Sequence, residues 1–196
     1  MERLWIPMIV TFFSFGGLLL GGAVGVATRQ LIEEKMHRLY ALCGGILLGL
    51  LSLEIIPETF SSYEMIGPIL GIAIGILVMS LLDNYCHHPM IHKKEQQAWQ
   101  TFLFLSFAIF IHNIPSGFAL GTAFINHNDS AIPFLIAIVV HHIPEGLALI
   151  IPFLFTKHKY VSFLLTTLLL SLILGTGTVF GILMDGKALH LQGLIM

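Results

Sequence analysis

The run "AIPFLIAIVVHHIPEGLALIIPFLF", residues 131–155, is long enough to cross roughly 30 Å of hydrocarbon as a helix. At its centre it carries two histidines, a proline and a glutamate. The surrounding chain decides how to read it. At 56% hydrophobic and 10% charged over 196 residues, with a mean hydropathy of +0.91, the protein is too apolar for a soluble globule of this size. Five further apolar runs, 4–27, 39–59, 65–82, 98–125 and 161–184, have the same character. The expectation is an all-α, polytopic transmembrane bundle of six spans forming a single domain over 1–196. The segments between them are too short to fold on their own. The first run follows "MER", but it is longer than a signal-peptide core and five more succeed it, so it counts as a span.

Charge narrows the partners. A formal charge of −2 and a pI near 6.5 give no basic surface for nucleic acid and no strong pull toward anionic lipid. The bilayer itself is the expected partner, and a homodimer is compatible with the chain. Cys43 and Cys86 are too few for a disulfide framework and lie in dissimilar surroundings. Seven of the nine Lys and Arg residues fall in the segments after spans one, three and five: Arg29, Lys35, Arg38, Lys93, Lys94, Lys157 and Lys159. Positive charge accumulates on the cytoplasmic side, so both termini are expected outside.

Glycines recur every fourth position in three spans: Gly17, Gly21 and Gly25; Gly45 and Gly49; Gly67, Gly71 and Gly75. In lipid, close backbone approach is what helix association requires, so these positions predict packing seams.

The polar centre of span five has a twin in span four. "HNIPSGFAL", from residue 112, and "HHIPEGLAL", from residue 141, agree at six of nine positions. Consecutive spans run antiparallel, which puts the two motifs at the same depth. Positions i and i+4 share a helix face, pairing His112 with Ser116 and His141 with Glu145. Pro115 and Pro144 remove an N–H and free the carbonyls of Ile111 and Val140, with Gly117 and Gly146 expected to let the backbone bend. Broken helices of this kind are tolerated where they line a cavity.

An ionised Glu145 at mid-bilayer costs about 2.5–3.5 kcal/mol on insertion scales unless a positive charge offsets it. Every Lys and Arg lies in a loop or near a chain end, so compensation must come from a proton, a histidinium or a metal ion. Two imidazoles and a carboxylate suit zinc or a similar first-row divalent ion, with a coordination position left open for exchange. The bland alternative is that His142, Asn113 or Ser116 merely glue helices together, and Ser116 is as well suited to bonding its own backbone. The duplicated set of His112, His141 and Glu145 is harder to dismiss, because intramembrane ionisable groups ordinarily mark function.

These motifs resemble the fourth and fifth transmembrane helices of the ZIP (Zrt/Irt-like) divalent metal transporters, whose motifs read HNxPxG and HxxPEG. The resemblance implies a helical bundle that carries zinc, with iron, manganese or cadmium as alternatives, into the cytoplasm across the plasma membrane. The metal is then substrate rather than cofactor. His112, His141 and Glu145 match the primary site; Asn113 and His142 match positions that help form an adjoining one. Many members have an acidic residue at the position of Ser116, and some add a glutamate in span six, where "SLILGTGTVFG" has none, so one principal ion is expected. Members typically have eight spans, and "HLQGLIM" reads as the opening of a seventh, which suggests a C-terminal truncation. The resemblance also implies an elevator-like movement; the expectation here is that spans four and five shift against the rest.

Outlying polar residues have weaker claims. Glu54 and Glu58, around Pro57, could attract an incoming cation. Asp83, His87, His88 and His92 read foremost as a solvated loop, and His127 and Asp129 are weak candidates near the outer mouth. Two rivals to transport remain. An intramembrane zinc hydrolase would need the HExxH spacing that "HHIPE" lacks. The other is a metal sensor that does not transport.

Overall fold

The computed structural model describes residues 5–50, 52–53, 56–57, 65–86, 94–125 and 131–184. Among these residues the chain forms six helices: α1 (Trp5–Ala27), α2 (Arg29–Leu50), α3 (Ile66–Cys86), α4 (Lys94–Ile125), α5 (Ala131–Phe153) and α6 (Tyr160–Leu183). Each corresponds to one of the six apolar runs. Helices α1, α4, α5 and α6 are each long and apolar enough to cross a membrane; the apolar part of α3, Ile66–Leu81, is shorter. The protein is an all-α membrane bundle.

Two boundaries differ from the sequence expectation. The segment after span one, read as a loop, is helical and opens α2, with a break in helical geometry at Lys35 (φ −132°, ψ 29°). Its charges suggested a loop, but "RQLIEEKMHR" has neither glycine nor proline and is rich in good helix formers. Helix α4 likewise begins at Lys94 rather than at 98, with Glu95 in its first turn, where an acidic side chain favours the helix dipole.

Side-chain and backbone contacts fix the directions. Trp99 meets His158, Phe102 meets Phe153 and His112 meets His141, so α4 and α5 are antiparallel. Gly17, Gly21 and Gly25 of α1 face Val139, Ile143 and Ile150 of α5 in turn, so those two helices are parallel. Gly117 and Gly121 of α4 face Leu174 and Thr178 of α6 in the same sense. The α1–α2 junction, the start of α4 and the α5–α6 turn therefore share one end of the bundle.

Most of these glycines are sites of close approach. A methyl group added at Gly21 would collide with the Ile143 carbonyl, and one at Gly146 with the Leu18 carbonyl. Gly117 and Gly181 meet the carbonyls of Leu174 and Phe118 in the same way. With lipid as solvent, such backbone contact is what holds helices together. The expected seam in α1 is present. Gly45, Gly49 and Gly75, by contrast, have open space where a Cβ would lie, so at these three positions the spacing builds no contact among the described residues. Helix α3 is largely exposed.

The result is a block of α1, α4, α5 and α6. Two apolar clusters fill it, one of Phe102, Ile109, Leu149, Phe153 and Phe163 with Leu18, Ile150 and Leu170, the other of Ile6, Val10, Leu120, Ile138 and Leu174. On α4 and α5 the motif histidines lie between these layers. Outward faces are equally apolar: Met8 and Phe12 are each 72% exposed, as lipid-facing side chains must be in a bundle without a water-soluble exterior.

Candidate metal centre

Helices α4 and α5 continue unbroken through Pro115 and Pro144. Gly117 and Gly146 stand in close contact with α6 and α1. The two motifs face each other as stretches of helix, from which their polar side chains project.

His112, His141 and Glu145 offer one ligand atom each, all within 4.8 Å of one another. A tetrahedral ion with bonds near 2.1 Å spaces its donors about 3.4 Å apart, so a modest adjustment of rotamers closes the triangle. The His112 and His141 rings lie edge to face with centroids 5.6 Å apart. His141 Nε2 is 3.8 Å from Glu145 Oε1, and His142 Nε2 is 3.8 Å from Glu145 Oε2. Those separations are too long for hydrogen bonds.

The backbone sets the histidine tautomers. His141 Nδ1 donates to the Ala137 carbonyl at 3.1 Å, and His142 Nδ1 donates to that of Ile138. A carbonyl only accepts, so both protons sit on Nδ1 and each Nε2 presents its lone pair. Both Nε2 atoms, Glu145 Oε2 and Asn113 Oδ1 are buried without a hydrogen-bond partner. Three of these acceptors, on His141, His142 and Glu145, lie together, and unpaired they would be costly in a bare apolar interior. An electrophile, metal ion or proton, is what such a set lacks.

Asn113 is fully buried, and its Nδ2 donates to the Leu170 carbonyl of α6 at 3.0 Å. Half of its amide is thus structural, leaving the oxygen as the available donor atom. Ser116 behaves differently: its hydroxyl donates to the His112 carbonyl at 2.9 Å and lies 3.4 Å from His112 Nε2. It bonds its own helix and steadies His112, the role the sequence left open beside that of ligand. His112 is exposed while His141 and Glu145 are buried, so the cluster opens on the His112 side.

The sequence did not anticipate the residues that hold this arrangement from behind. Gly17 brings α1 against Val139 and the Cβ of His142, and Gly21 brings it against the backbone of Gly146 and Leu147. The fourth-position spacing in α1 was legible, but nothing local in it says that α5 is the neighbour. Glu54, Glu58, His87, His88, His92, His127 and Asp129 lie outside the described residues, as does the side chain of Asp83.

Residues 84–196, which contain both motifs, match the family model described as ZIP zinc transporter. The chain belongs to the ZIP family. Among curated proteins, the ZIP chain is similar to a zinc transporter, ZupT, of Corynebacterium aurimucosum, with 29% identity over 138 residues, 60% of this chain and 51% of the relative. It thus spans about half the length of that relative. The ZIP assignment agrees with the resemblance of "HNIPSG" and "HHIPEG" and with an integral membrane bundle.

Proposed function

We propose that this chain moves zinc, or a divalent ion of similar chemistry, into the cytoplasm through a site formed by His112, His141 and Glu145, with Asn113 and His142 beside it. The observation that carries the proposal is the trio of ligand atoms within 4.8 Å, two of them on buried side chains whose free acceptors have no protein partner. Glu145 brings the one carboxylate, the histidines bring borderline-soft nitrogen, and solvent completes the shell. The name of the relative from Corynebacterium aurimucosum favours zinc over the other candidates.

Direction rests on charge. The end of the bundle that gathers Arg29, Lys35, Arg38, Lys94, Lys157 and Lys159 is read as cytoplasmic, which favours an N-terminus outside; the plasma membrane is the location the ZIP resemblance implies. Movement is then a matter of which helices travel together. Carbonyls lie close against Gly117, Gly21 and Gly146, which favours α4 and α5 moving together with α6 and α1. In this reading the four-helix block carries the ion as one body relative to α2 and α3, replacing the shift of spans four and five alone.

Flux of radioactive zinc into liposomes tests the proposal. The parent should accumulate zinc, and Glu145→Ala and His112→Ala should each abolish most of it. Equal flux in parent and both variants would overturn the assignment of the site.

A further inference from the structure

A second group of side chains of the types that ligate metals, a carboxylate and an imidazole, lies at the lysine-rich end of the bundle, away from the central cluster. Glu95, Gln96 and Trp99 on the first turns of α4 and His158 in the α5–α6 turn line a cleft of about 220 Å³. Glu95 lies seventeen residues before His112 and His158 seventeen after His141, so the cleft stands roughly 25 Å along the helix axes from the central site. The His158 ring stacks on Trp99 with centroids 3.8 Å apart. Trp99 in turn stacks on the buried Phe102, which anchors this end of the turn to the core.

Glu95 already holds a cation. The Lys157 ammonium is 3.3 Å from Oε2, and the Lys157 backbone N–H donates to Oε1 at 3.3 Å. The lysine side chain is 88% exposed, so its hold is weak and easily exchanged. Glu95 and Trp99 are four apart on one helical face, which puts the carboxylate on the side where His158 stacks.

We propose that this cleft is a second divalent-cation site, in which the Glu95 carboxylate and the His158 imidazole hold a first-row ion such as zinc in place of the Lys157 ammonium. Carboxylate and imidazole are the donor types such ions take, and the Gln96 amide and solvent fill the remaining positions. Two charged or nitrogen donors with a competing lysine make a weak, rapidly exchanging site. Binding there does not depend on transport; only a role as the point of release rests on the proposed function.

The test uses the full chain with Trp5→Phe, which leaves Trp99 as the one indole, and with the central site disabled by His141→Ala and Glu145→Gln. Cobalt(II), a quencher that zinc ligands accept, is titrated while Trp99 fluorescence is read. Saturable quenching is expected, reversed by zinc and not by magnesium. Glu95→Gln should weaken it roughly tenfold or more, and Lys157→Ala should strengthen it several-fold. Near-ultraviolet circular dichroism of Trp99 confirms that each variant keeps its fold. Absent quenching, or quenching unaltered by Glu95→Gln, overturns the proposal, as does Lys157→Ala that fails to tighten the site. Because two of the three central ligands are missing throughout, none of these outcomes depends on whether the chain transports.

Discussion

His141 Nε2 and Glu145 Oε1 stand 3.8 Å apart, one turn apart on α5: too far to bond each other, near enough for one small ion to touch both. Replacing the carboxylate by its amide keeps the volume and removes the charge. Glu145→Gln should therefore reduce zinc uptake by roughly tenfold or more, because the neutral amide is a far poorer partner for a doubly charged ion in an apolar site. Initial rates in liposomes over a range of zinc concentrations check this. Unaltered uptake would detach Glu145 from the ion.

The histidines must be unprotonated to bind metal, whereas free imidazole takes up a proton near pH 6.5. Acid shifts the competition toward the proton, so zinc uptake should fall as external pH is lowered from 7.5 to 5. A flat profile over that range would mean that imidazole nitrogen is not a ligand in the rate-limiting step.

Ser116 bonds the His112 carbonyl, so its hydroxyl is occupied by its own helix. Ser116→Ala should retain most zinc uptake, within about twofold, since a back-bonding hydroxyl contributes little. Asn113→Ala should be more harmful: it leaves the Leu170 carbonyl without its Nδ2 donor and lowers stability by about 1 kcal/mol. Thermal unfolding in detergent alongside flux separates the two effects.

Gly21 and Gly45 offer a matched pair. A methyl at Gly21 meets the Ile143 carbonyl, while one at Gly45 meets nothing. Gly21→Ala should destabilise by about 1–3 kcal/mol through overpacking, and Gly45→Ala should stay within about 0.5 kcal/mol of the parent. Equal melting temperatures for the two would contradict the packing of α1 on α5.

That pair also shows where sequence reading runs out. Fourth-position glycines look alike in α1 and α2, but only tertiary contact decides which of them meets a backbone, and that contact is not encoded locally. The motif residues were easier: ionisable groups in an apolar run have few uses, so the paired motifs singled out His112, His141 and Glu145 without any tertiary information. The segment 29–38 misled because its charge resembled a loop while its residues favoured helix. At Gly117 and Gly146 the sequence pointed to backbone freedom beside proline, and the close contact of both glycines with α6 and α1 was not legible in it.

The four-helix block yields a further test. Thr11 Cβ lies 3.4 Å from where a Cβ on Gly175 would stand, near the usual separation across a disulfide of about 3.8 Å. Thr11→Cys with Gly175→Cys, in a chain with Cys43 and Cys86 replaced by serine, should cross-link α1 to α6. If the block moves as one body, zinc uptake persists after oxidation. Uptake that is lost on oxidation and restored by reductant would mean that α1 and α6 must slide past each other.

The most direct measurement is anomalous diffraction at the zinc edge from crystals grown with zinc and the full chain. The account predicts a peak about 2.0–2.2 Å from a ring nitrogen of His112, a ring nitrogen of His141 and a carboxylate oxygen of Glu145. A zinc peak elsewhere with these three side chains unligated, or His112 turned away from the other two in the zinc-bound state, would contradict it.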